Sequence, residues 1–209
     1  MSRKERLSEF NRRNILNTAK ELFLEKGVIQ TTMDDIAANA ECSKSTIYVY
    51  FKSKEEIFDC IVLDYCVMLK GEIVEAINTA KEFPDGYFAI CNTMVKYYNA
   101  HPLYFESVLG ELNYSVDESD TVRFQIYSVG EQIVGIIGNY VKTCIINGYV
   151  RADLEPLPQT ILYLWAGICG VISLAHKKEK YITQEMNIAL DEFMHDGFNF
   201  LLRSALPER

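Results

Sequence analysis

The sequence predicts an all-α protein of about nine helices, with a small three-helix head followed by a larger helical body. Three observations predict it. Apolar residues recur at helical spacing through almost every segment, while strand-like alternation is scarce. Helix-starting and helix-stopping residues punctuate those segments at short intervals. Of the 209 residues, 49% are hydrophobic, enough to bury a sizeable core.

The elements follow in order. Helix one is expected over Ser8–Lys26, with Ile15, Ala19, Leu22 and Phe23 on one face. Gly27 is its stop, since glycine accepts the left-handed backbone that ends many helices. Thr32 to Asp35 reads T-x-x-D, a capping box with Asp in place of Glu or Gln, and opens helix two. Ile36, Ala37 and Ala40 form that helix's inner face. Ser43 caps helix three. A second box, Ser53 to Glu56, opens helix four, which reaches towards residue 80. FPDG (Phe83 to Gly86) is a turn. Further helices are expected over 86–99, 101–113, 118–147, 157–178 and 183–203. NGYVRADLEPLP (Asn147 to Pro158) connects two of them, and there are no internal repeats. Two domains result, 1–53 and 54–209.

Charge separates the two. The chain carries a net −8, yet residues 1–54 hold ten Lys or Arg against seven Asp or Glu and the remainder eleven against twenty-two, or +3 and −11. A basic head on an acidic body is compatible with a local polyanion site. The six cysteines lie inside apolar runs without a C-x-x-C pair, which points to free thiols in a reducing cytoplasm. Ile161 to Ala175 is uncharged but shorter than the roughly 20 residues that span a bilayer, so a buried helix rather than a membrane segment is expected. The three histidines are scattered, and no metal site, cofactor site or catalytic motif is legible. SVDESD (Ser115 to Asp120) lacks calcium-loop spacing and reads as helix capping. No enzyme is expected.

The stretch TTMDDIAANAECSKSTIYVYF (31–51) carries the function. Two short helices joined by a tight turn match a helix-turn-helix. At 100° per residue, Ile47 and Phe51 face the core while Ser45 and Val49 point the opposite way, with Thr46 and Tyr48 on the flanks. Lys44 stands at the tip. A small, uncharged face bordered by hydroxyls and lysines suits a major groove, where Val49 meets a thymine methyl. Thr46, Tyr48, Tyr50 and Lys54 are placed to donate to phosphate oxygens. A helical hairpin whose polar face is merely solvated has the same pattern.

Residues 14–27 (NILNTAKELFLEKG), 31–37 (TTMDDIA) and 43–54 (SKSTIYVYFKSK) resemble the N-terminal domain of the TetR family of bacterial transcriptional regulators. Beyond them the similarity is architectural, including the connector GYVRADLEP. The resemblance implies a homodimer that binds a double-stranded, near-palindromic DNA operator and is released by a small-molecule effector in the body. It places Thr32 and Met33 against the DNA backbone, Lys44, Ser45 and Val49 on bases, and Thr46, Tyr48, Tyr50 and Lys54 on phosphates. The turn departs from the family's usual A-G-V: here it reads Ala40-Glu41-Cys42, and Glu in a left-handed conformation costs on the order of 1 kcal/mol.

In the body, aromatics are dense from helix four to helix seven, interleaved with Asn92, Asn99, His101 and Glu106. Tyr65, Met68, Cys91, Met94, Tyr98, Phe105, Phe124 and Tyr127 are the candidate effector-binding residues, for an apolar or aromatic ligand. Most such residues also serve as core. Glu106 or Glu111 would favour a cation, although an acidic side chain on a helix is usually solvated. The last two helices are the expected dimer seam: Ala166, Gly167 and Gly170 permit close approach, and Ile188, Leu190, Phe193, Met194, Phe198 and Leu201 form the partner face; burial of these helices within one monomer is the alternative. An all-α carrier or sensor that keeps the head only as scaffold is the alternative function.

Overall fold

The computed structural model describes residues 2–80, 82–108, 122–154 and 157–207. Among them there is no strand. The helices are α1 (Arg3–Gln30), α2 (Met33–Asn39), α3 (Lys44–Tyr50), α4 (Lys54–Thr79), α5 (Asp85–Ala100), α6 (Pro102–Phe105), α7 (Val122–Ile146), α8 (Leu157–Lys177) and α9 (Leu190–Arg203). The fold class is the one expected. Glu111, the SVDESD segment, the end of the 101–113 helix and the start of the 118–147 helix lie outside the described residues.

Local signals explain the boundaries. α1 starts five residues before Ser8 because Ser2 and Glu5 form a complete capping box: the Glu5 N–H donates to Ser2 Oγ at 3.2 Å and the Ser2 N–H to Glu5 Oε2 at 2.7 Å. Gly27 breaks α1 as expected, at φ +80°, and a helical turn follows it to Gln30. The final helix begins later than 183. A π-helical turn (Tyr181–Glu185) and a left-handed Asn187 (φ +54°) intervene before α9.

The chain divides into two compact units. One comprises residues 2–66 with 122–126; the other comprises 67–108 with 127–207. In the first, α1 is the central strut, with Ile15, Leu16, Ala19, Leu22 and Phe23 buried. Phe23 meets Phe58 of α4 edge-on, ring centroids 5.9 Å apart. Arg12 lies over the Phe51 ring at 5.2 Å, and the Asn14 amide donates to the Ala40 carbonyl at 2.9 Å, so α1 also holds the ends of α2 and α3.

In the second unit, Ile90, Cys91, Met94 and Tyr97 of α5 are buried, as are Ile168, Cys169 and Ile172 of α8. Tyr87 Oη donates to the Phe198 carbonyl at 3.0 Å, tying α5 to α9. α8 and α9 approach closely through glycines. A Cβ built on Gly167 would stand 2.8 Å from Leu201, and one on Gly197 would stand 2.8 Å from Val171. Gly167, expected at an intersubunit seam, therefore takes a side chain of its own subunit.

Candidate nucleic-acid interface and effector region

α2 starts where the sequence places it. Thr32 Oγ1 accepts the Asp35 N–H at 3.1 Å, and Asp35 Oδ2 accepts the Thr32 N–H at 2.8 Å. Lys26 reaches the same carboxylate at 2.8 Å. That ammonium, then the Thr32 donors, hold the Asp35 carboxyl down at about 2. Thr32 is exposed and Met33 half-buried at this helix start.

The turn between α2 and α3 is left-handed at a residue that is not glycine. Glu41 adopts φ +53°. The Cys42 N–H donates to Ala37 O at 3.1 Å and the Glu41 N–H to Ala38 O at 3.3 Å, the paired bonds of a Schellman motif. Glu41 thus holds a backbone conformation that glycine adopts without strain.

α3 turns Ile47 and Phe51 inward, both essentially buried, and leaves Val49 78% exposed. Lys44, Ser45 and Tyr48 are exposed beside it, with Thr46 and Tyr50 half-buried. The Ser43 hydroxyl caps the helix, accepting the Thr46 N–H at 3.1 Å, and lies 2.8 and 2.7 Å from the hydroxyls of Ser45 and Thr46. Tyr50 Oη accepts from Asn11 at 3.4 Å, so α1 holds its ring. Lys44 Nζ donates to Asp34 Oδ1 at 2.7 Å; this pair, unforeseen in the sequence, links the tip of α3 to α2. The Asp34 carboxylate raises the pKa of that ammonium.

Lys54 stands apart from the other expected DNA contacts. Its ammonium points into the fold, onto the Val28, Ile29 and Thr31 carbonyls. At the neighbouring cap, Ser53 Oγ accepts the Glu56 N–H at 3.2 Å, while the Glu56 carboxylate takes the Lys52 N–H rather than that of Ser53.

The eight expected effector residues fall in different places. Tyr65 and Phe124 belong to the first unit, and Lys20 Nζ lies 5.2 Å from the Tyr65 ring. Cys91, Met94 and Phe105 are wholly buried in the second unit, and Tyr127 is half-buried. Burial pushes the Cys91 thiol up to about 12. Tyr98 stacks on His176, ring centroids 4.2 Å apart, with Phe105 edge-on to it at 4.9 Å. Met68 lines a crevice of about 560 Å³ between α4 and α5, with Glu72, Glu75, Asn92, Lys96, Tyr97 and His101. A smaller, apolar cavity of about 40 Å³ lies among Phe83, Tyr87, Tyr140, Cys144, Ile161 and Leu202.

Residues 15–61 match the sequence profile of the bacterial regulatory proteins of the tetR family. The transcriptional repressor DhaR of Mycobacterium sp. (strain GP1) is 26% identical over 92% of this chain and 93% of its own. Among solved structures, a protein from Rhodococcus sp. RHA1 superposes with a TM-score of 0.74 at 17% identity, over 94% of this chain and 95% of that one. SmeT, the repressor of the Stenotrophomonas maltophilia multidrug efflux pump SmeDEF, has been solved with triclosan. That complex superposes with a TM-score of 0.64 at 18% identity, over 95% and 92% of the two chains.

Residues 15–61 are thus of the TetR type. The curated relatives DhaR and SrpR are themselves helix-turn-helix transcriptional regulators. Three features of the folded chain are not legible in its sequence. The Asp34–Lys44 pair joins charges ten residues apart, outside helical spacing. His176 is one of three scattered histidines in the sequence, yet its Nε2 is buried without a hydrogen-bond partner beside Tyr98. The crevice acids Glu72 and Glu75 carry no motif that singles them out in the sequence.

Proposed function

We propose that this chain is a transcriptional repressor that binds a near-palindromic operator as a homodimer and is released by a small hydrophobic or aromatic effector. What carries the DNA assignment is the outward face of α3, where Val49 stands exposed opposite the buried Ile47 and Phe51. Lys44, Ser45 and Val49 then read base edges. Thr32, Met33, Thr46, Tyr48 and Tyr50 contact the backbone. Residues 1–53 serve DNA and 54–209 serve the effector and the second subunit.

The dimer reading is supported by the uncovered side of α8 and α9. Leu162, Tyr163 and Leu174 of α8 are exposed, and Phe200 of α9 is 75% exposed. Gly170, Leu174, Ile188, Phe193 and Phe200 line an apolar trough of about 480 Å³ on that side. A second copy covering this strip accounts for a helix long and apolar enough to cross a membrane without invoking one. For the effector, the aromatic body and the superposition with triclosan-bound SmeT support an apolar ligand. All six cysteines are free, and burial raises the Cys66, Cys91 and Cys169 thiols to about 11, 12 and 12, in keeping with a reducing cytoplasm.

The test is selection of sheared genomic DNA by purified protein at near-physiological salt, followed by sequencing. Enrichment of a few sites with half-sites one helical turn apart, about 10 bp, is the expected result for a dimer. Folded dimeric protein that enriches no site would remove the operator reading and favour a carrier or sensor.

A further inference from the structure

We infer that Lys54 is a positioning residue for the recognition helix, clamping the end of α1 and the start of α2 onto α4 through a single ammonium group. Its Nζ donates to the carbonyls of Val28, Ile29 and Thr31, each at 2.9 Å. An ammonium has three donors, so all three are used inside the fold and none is left for a phosphate oxygen. The acceptors need such a partner. The last carbonyls of a helix have no intrahelical N–H to receive, and the last turn of α1 contains no basic residue of its own. Lys54, from the first turn of another helix, supplies the cation that this end lacks.

The clamp sits where three helices meet. Thr31 is fully buried, its hydroxyl donates to the Gly27 carbonyl at 2.8 Å, and the next residue, Thr32, caps α2. α2 is joined to α3 by the Schellman turn and by the Lys44–Asp34 pair. A displacement of the N-terminus of α4 is therefore passed to the start of α2, and with it to α3, without Lys54 touching DNA. The consequence for operator affinity rests on the function proposed above; the consequence for local order does not.

The test compares full-length wild type, Lys54→Met and Lys54→Arg. Arginine keeps the charge and the ability to bind phosphate, but its planar fork cannot aim three donors from one nitrogen at three converging carbonyls. Amide hydrogen exchange of the free protein is expected to speed up about tenfold or more across residues 33–39 in both variants, with amides of α4 beyond its first turn unchanged. On a fragment enriched by the genomic selection, both variants should bind about tenfold more weakly, with the slope of log K against log salt unchanged. Unchanged exchange in α2 would overturn the clamp, whatever DNA binding does. So would a salt slope lower by about 0.9 per lost contact in Lys54→Met with wild-type binding by Lys54→Arg, the signature of a phosphate ligand. If Lys54→Met does not fold, exchange in Lys54→Arg decides alone. Failure of wild type to enrich any site would remove the operator reading and leave the exchange test standing.

Discussion

Replacing Glu41 with glycine should stabilise the protein. Glu41 holds φ +53°, the left-handed region, where the Cβ of an L-residue approaches its own carbonyl at a cost of roughly 1–2 kcal/mol. Its side chain is exposed, and the two bonds that define the turn are made by backbone groups, so glycine keeps them both. Against the relief stands the larger entropy that glycine loses on folding, roughly 0.5–1 kcal/mol. The net gain is therefore about 0.5–1 kcal/mol, which for a chain of 209 residues corresponds to a rise in Tm of about 1–4 °C. Urea unfolding of both proteins, followed by circular dichroism, measures it as a shift in midpoint at constant m. Glu41→Val serves as the opposite control, since a β-branched residue tolerates this backbone worst. A glycine variant with an unchanged or lower midpoint would refute the reasoning, because it would mean that no strain is stored at the turn.

Three further outcomes are expected. Val49→Glu should abolish specific DNA binding and leave the melting temperature unchanged, because the side chain faces solvent in the free protein; retained specific binding in a gel-shift titration would show the helix to be docked by another face. Asp35, whose folded pKa is depressed to about 2 from 3.8, contributes stability that is present above pH 4 and lost as pH falls towards 2. Asp35→Asn should consequently lower the urea midpoint at pH 7 and converge with wild type near pH 2. Tyr87→Phe removes a buried hydroxyl that donates to the Phe198 carbonyl and should cost about 1 kcal/mol in the same unfolding experiment, with a loss below about 0.3 kcal/mol counting against that bond.

The head was more legible than the body. Thr32, Asp35 and Ser43 announce their helices within four residues of chain, and the wheel of α3 separates Ile47 from Val49 without knowledge of any partner. The start of α1 was equally legible: S-x-x-E at Ser2 to Glu5 is the same signal as at α2, passed over because the residues after it are too charged to show an apolar stripe. The final helix was placed too early because Ile182 and Ile188 extend the apolar pattern of α9, while the left-handed Asn187 that interrupts it has no strong sequence mark. In the body, tyrosines and methionines line cavities and fill cores with the same composition, so sequence could name candidates without sorting them.

Local interactions, then, determined what the sequence alone could say: helix starts and stops, the phase of α3 and the strained Glu41 all follow from groups within a few residues of each other. Tertiary structure decided the rest. Only the folded chain brings Lys54 to three carbonyls more than twenty residues away, Lys44 to Asp34, and Gly167 against Leu201 of the same subunit. The physical reason is one of range. A cap or a periodic stripe is fixed by backbone geometry that every helix shares, whereas the partner of a long, flexible lysine depends on which distant acceptors the packing of other helices delivers to it.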